Sequence, residues 1–263
     1  MNHRDSRTPA LAAVILLAAA AVLAAVLRTV QLQIVFDADG LPETGHPLTL
    51  VLSIFCAVAT AAIGIFSLRL PARKTGVLKP DMASGILASA GGILLLFSCI
   101  LEAADSLLSL HGSGRQLLTA LTFLLCVLGM LSGLLIFAAA MQRQKGRKPS
   151  IALYIVPFLY IMLRLVLYFK SWSSDPIILD YCFGLFALLC IMGGSYRIGG
   201  YCFDQGKRRL STFWAMTGVL FCAAAIPGSD MDELCFYCAS LLWMLSIVRL
   251  LLRPGRPESE TGD

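Results

Sequence analysis

Residues 117–141, LLTALTFLLCVLGMLSGLLIFAAAM, run for 25 positions without a charge and are followed at once by QRQKGRK over 142–148. A helix needs about 20 apolar residues to cross the hydrocarbon core of a bilayer, so the stretch is long enough to span one. The basic cluster behind it marks the side on which it stops. Working outward in both directions, comparable apolar runs lie at 10–30, 47–70, 83–104, 151–170, 176–198, 211–228 and 234–252. Composition agrees: 58% of the 263 residues are hydrophobic, 14% are charged and the mean hydropathy is +0.80, beyond what a soluble globule carries.

Backbone groups in lipid must pair internally, which leaves helices or a closed barrel, and these runs are too long and continuous for barrel strands. The expected fold is therefore all-α: a polytopic transmembrane helical bundle of eight spans, one domain over 1–253, with a polar, disordered tail over 254–263. The run at 10–27 behind Arg4 and Arg7 has the layout of a secretory signal, but it exceeds the usual signal core and reads as a retained span.

Seventeen of the 21 Lys and Arg residues fall on one side of this zigzag, against Arg28, Arg115, Arg164 and Lys170 on the other. Ten of the 16 acids, among them Asp105, Asp180 and Glu233, fall on the side poor in basic residues. The positive-inside rule then places both termini in the cytoplasm of a plasma (cytoplasmic) membrane. The net charge of +5 follows from this topology and from anionic lipid, with no nucleic acid as partner. The longest connection, 31–46, has 16 residues, too few to bury the core of an ATPase, kinase or DNA-binding module between spans. Arg28 precedes Asp39 by 11 residues and Arg164 precedes Asp175 by the same 11, a spacing that would fit a parallel 4+4 repeat.

Charges within spans carry the functional reading, because an ionised group in hydrocarbon is costly and turns toward protein or a wet cavity. Tyr154, Pro157, Ile161, Arg164 and Tyr168 share one helical face, with Tyr160 one turn from Arg164. A guanidinium between phenols suits an anionic group; alternatively, Arg164 pairs with an acid from a neighbouring span. In the third span Ser84, Ala88, Gly91 or Gly92, Leu95, Ser98 or Cys99, Glu102 and Asp105 form a small, polar stripe. Asp180 is the expected ionic partner of Arg164 or Arg28. Arg28 shares a face with Gln31, and Ala20/Ala24, Ala21/Ala25 and Gly129/Gly133 have spacings that permit close helix contact.

Of the nine cysteines, Cys235 and Cys238 form a C-F-Y-C that suggests a thiol–disulfide exchange pair. The acids just before them oppose a low thiol pKa, and a second exterior pair is missing from the sequence. His46 and His111 have no zinc-like ligand spacing, and Asp37–Ala38–Asp39–Gly40 starts but does not complete a calcium loop. No cofactor or metal is expected, nor is any catalytic residue, since no nucleophile elbow, zinc-protease motif or phosphate-binding glycine loop is present. The chain reads as a small-solute transporter or substrate-binding membrane subunit. Its exterior vestibule would be built from spans one, three, five and six, with Arg28, Arg164, Tyr160, Tyr168, Glu102, Asp105 and Asp180 as the site. The rival reading is a scaffold or sensor whose small-residue faces recruit a partner subunit or a second copy; Cys235/Cys238 redox chemistry comes third.

Overall fold

The computed structural model describes residues 7–35, 46–70, 81–109, 116–147, 149–172, 178–203 and 206–252. The tail over 254–263 and the Asp37–Gly40 turn lie outside them. Among the described residues the chain forms α1 (Arg7–Ile34), α2 (Pro47–Arg69), α3 (Met82–Ser109), α4 (Gln116–Gln144), α5 (Ala152–Trp172) and α6 (Ile178–Gly199). A short 3-10 turn (Gly200–Phe203) leads to α7 (Arg208–Ala225) and α8 (Met231–Leu252).

Local chemistry sets several of these ends. The His46 ring accepts from the Leu48 N–H at 3.3 Å and Pro47 occupies the first turn of α2, where its missing donor costs nothing. Asp81 accepts from the Ser84 N–H at 3.3 Å and so caps α3. Asp232 and Glu233 in the first turn of α8, and Arg249 in its last, match the helix dipole at both ends.

All helices except α7 are long and apolar enough to cross a membrane. Large apolar side chains such as Ile15, Leu50, Ile54, Phe97, Phe123 and Val166 stand on outer faces, which is how a multi-pass membrane protein presents itself to lipid. Helix α7 differs for a physical reason. It opens with Arg208 and Arg209, carries Ser211, Thr212, Thr217 and Gly218, and is packed by α1, α2, α6 and α8. A helix enclosed by others does not need to satisfy lipid, and small or hydroxylated side chains let its neighbours close in. Its buried hydroxyls donate to carbonyls one turn back, Thr212 to Arg208 at 2.9 Å and Thr217 to Phe213 at 2.8 Å. One end of α7 lies beside Leu70 and Leu251, whose carbonyls accept from Arg209 and Arg208 at 2.7 Å each; past its other end, Gly228 abuts Leu32 of α1.

The small residues noted in sequence mediate backbone contact. A Cβ on Gly92 would stand 2.7 Å from the Gly133 carbonyl oxygen, and one on Gly133 the same distance from that of Gly92, so α3 and α4 touch backbone to backbone. A Cβ on Gly91 would meet the Ala239 carbonyl at 2.8 Å, which brings α8 equally close to the other side of α3. The two halves of the chain pack differently: α6 lies closely along α7, while α2 and α3 make no comparable interface among the described residues. This arrangement lends the 4+4 repeat no support.

Gly133→Leu should lower stability at the upper end of about 1–3 kcal/mol, because the side chain would have to displace the Gly92 carbonyl as well as the Leu96 side chain. Ala18→Leu on the exposed face of α1 should stay within about 0.5 kcal/mol. Equilibrium unfolding in mixed micelles compares the two.

Candidate functional site

The most heavily charged interior lies where α3, α5 and α8 meet, about 10 Å from the ends of the helices that build it, from the helical rise per residue. Arg164 is 1% exposed. Its Nη1 donates to Glu102 Oε2 at 2.8 Å and to the Tyr160 hydroxyl at 2.9 Å, and its Nη2 donates to the Tyr168 hydroxyl at 2.5 Å. Tyr160 and Tyr168 lie four residues to either side of Arg164 on one helix, so their hydroxyls arrive from above and below. The Glu102 carboxylate comes from the end of the small-residue stripe on α3.

Aromatic rings complete the enclosure. The guanidinium carbon sits 4.1 Å from the centroid of Phe236 and 4.6 Å from that of Tyr168, close enough for cation–π attraction in a dry site. Tyr160 meets Phe236 edge-on at 6.2 Å, and its hydroxyl is 3.7 Å from Cys99 Sγ. Gly129 on α4 makes the room: a Cβ there would stand 2.7 Å from the Tyr160 ring and collide with Cys99. Beyond Tyr168 the polar group continues, with Glu233 at the start of α8 close enough to act on its hydroxyl electrostatically. One atom is left over, for Arg164 Nε is buried without a hydrogen-bond partner.

The expected site residues therefore divide. Arg164, Tyr160, Tyr168 and Glu102 come together, with Glu102 as an ionic partner of Arg164. Asp180 falls in the first turn of α6, and its side chain is outside the described residues. Asp105, one turn beyond Glu102, is exposed. Arg28 belongs to a second group: it donates to Gln31 at 2.8 Å, lies 5.2 Å from the Phe183 ring of α6, and Gln31 donates to Thr49 of α2 at 3.0 Å. The expected common vestibule of spans one, three, five and six is thus replaced by an Arg164 group on α3, α5 and α8 and an Arg28 group on α1, α2 and α6. A guanidinium of 1% exposure that reaches four nearby polar and aromatic side chains does not need a distant second arginine.

Glu233, Phe236 and Tyr237 were missed as site residues. Their three- and four-residue spacing at the head of α8 is a usable signal, but in sequence Glu233 reads as the acidic lead-in to the cysteine pair and Phe236 and Tyr237 as the residues between its cysteines. Cys235 is buried, Cys238 is partly buried, and both are free thiols. Among the described residues no three His, Cys, Asp or Glu side chains are grouped to hold a metal ion.

Two crevices continue inward from this cluster along the same helices. The first is lined by Gly91, Leu95, Pro157, Tyr160, Ile161 and Ser240, with Ile136 and Trp243 at its far side. The second begins at Ile136 and Trp243 and runs between Ala139, Tyr154 and Leu250 to Asp81, Arg143 and Gln144 at the opposite end of the bundle. Tyr160 thus faces both the ionic cluster and the inner crevice.

Arg164→Gln or Glu102→Gln alone should each destabilise the fold by about 3–5 kcal/mol, since either leaves its partner unbalanced in a dry interior. The double variant should be less destabilised than the sum of the two, a coupling that a thermal-unfolding double-mutant cycle measures. Comparison of the chain with protein-family models, with curated proteins and with solved structures finds no match.

Proposed function

We propose that this chain is a carrier of small anionic solutes in the plasma membrane, with eight spans and both termini in the cytoplasm. On this reading α7 crosses with the other helices, and the Arg164 cluster closes the exterior end of a path between α3, α4, α5 and α8. The observation that carries the proposal is the alignment of that cluster with the two crevices, which share Ile136 and Trp243 and lead toward the basic face. A buried arginine held by a carboxylate and two phenols is a reversible closure: an incoming anion competes with Glu102 for the same donors. Pro157 lines the path inside α5, where its missing N–H removes one backbone bond and eases bending.

A specific observation favours a second reading. Two of the helices at the cluster, α3 and α8, are also joined by backbone-close and main-chain contacts, such as Ser98 Oγ donating to the Asp232 carbonyl at 2.7 Å. A non-transporting membrane subunit would use the ion pair as a permanent staple and offer its lipid-facing helices to a partner or a second copy.

Cys99 separates the two readings because it lies directly behind the closure and is 0% exposed. In intact cells or oriented vesicles, a membrane-impermeant thiol reagent applied outside should leave Cys99 unmodified in the wild type and modify it in Glu102→Gln, as read by site-resolved mass spectrometry. Protection of Cys99 in a folded Glu102→Gln protein would sink the gate and leave the staple.

A further inference from the structure

The opposite end of the α3, α4, α5 and α8 group holds a second polar notch with different chemistry. Arg143, in the last turn of α4, is partly buried and lies 5.3 Å from the Tyr154 ring of α5. It has no carboxylate partner among the described residues. Tyr154 is 3% exposed, and its hydroxyl makes no well-formed hydrogen bond among the described residues, with the Arg143 guanidinium beside its ring. A buried phenol and a guanidinium side by side, both short of an acceptor, form an incomplete site.

The charges around them favour an anion as the missing acceptor. Asp81 is the acid that lines this notch, and it is already engaged by Arg249 Nε at 2.7 Å and by the Ser84 N–H. The first turns of α3 and α5 and the last turns of α4 and α8 all border the notch, so the helix dipoles offset one another and the positive balance comes from Arg143 and Arg249 against Asp81. Lys145 and Arg147 stand exposed just beyond it. Its deeper wall is apolar, made by Ala139, Trp243 and Leu250.

We infer that this notch binds a phosphate group, with Arg143 and the Tyr154 hydroxyl as its donors. The apolar wall suits a phosphate carried by a lipid headgroup, whose glycerol and upper acyl carbons would lie against Trp243 and Leu250. This site does not depend on the Arg164 closure, and it stands or falls separately from the carrier reading.

The test uses the full chain in nanodiscs of phosphatidylcholine, with or without phosphatidylglycerol, followed by release for native mass spectrometry. The wild type should retain one phosphatidylglycerol in preference to phosphatidylcholine. Arg143→Gln should lower that retention roughly tenfold, Tyr154→Phe severalfold, and Arg147→Gln little. Tyr154→Phe removes a hydroxyl that makes no well-formed hydrogen bond within the protein, so the fold should be little disturbed, which thermal unfolding of the variant without anionic lipid checks. Inorganic phosphate added to the phosphatidylcholine sample identifies the source: thermal stabilisation that requires Arg143, without lipid retention, assigns the site to free phosphate. Equal lipid retention in wild type, Arg143→Gln and Tyr154→Phe, together with no phosphate effect, overturns the inference.

Discussion

A guanidinium cannot remain in hydrocarbon uncompensated, and the placing of α3, α5 and α8 follows from that constraint. Arg164 is permanently charged at any physiological pH, so the fold has to supply an anion, hydrogen-bond acceptors and polarisable surface within a few ångströms. Glu102 comes from one helix, Tyr160 and Tyr168 from the helix that bears the arginine, and Phe236 from a third. The backbone contact of Gly91 with α8 and of Gly92 with Gly133 brings the bundle close enough for these short reaches to succeed. Bulkier residues there would hold the helices apart and leave the charge unbalanced.

The central helix shows how burial inverts the usual hydropathy argument. Outer helices such as α2 must be apolar nearly all round because lipid surrounds them, and α2 is the least buried of the apolar candidates. Helix α7 touches mainly protein, so it tolerates Ser211, Thr212 and Thr217 at near-zero exposure, each satisfied by its own backbone. The least lipid-compatible helix of the chain is therefore its most enclosed.

Much of this was legible in the sequence, and the exceptions have physical reasons. Helix positions followed from uninterrupted apolar length, and the buried faces of α3 and α5 followed from three- and four-residue spacing: Ser84, Ala88, Leu95, Ser98, Cys99 and Glu102 are all buried, as are Tyr154, Tyr160, Ile161 and Arg164. What periodicity does not encode is which faces meet. Arg28 and Arg164 read as one group because both are basic residues near the same membrane face, yet they lie on α1 and α5, with α6 between them. Glu233 and Phe236 were overlooked because their partners come from helices more than 60 residues earlier, beyond any local pattern. Asp105 sits one turn past the last buried position of its stripe and shares Glu102's face but not its environment.

Helix α3 is clasped near both ends by an arginine–carboxylate pair, to α5 through Arg164 and to α8 through Arg249, but in different media. At one end Arg164 and Glu102 are 1% and 10% exposed as side chains; at the other, Arg249 and Asp81 are 54% and 15% exposed. Counterions reach the second pair and not the first. Ionic strength therefore acts on this bundle asymmetrically: added salt slackens the Arg249 clasp while the Arg164 clasp holds, so the helices part, if they part, from the basic face first. The two ends share a chemistry but not a dielectric, and that difference sets the order in which α3 is released from its neighbours.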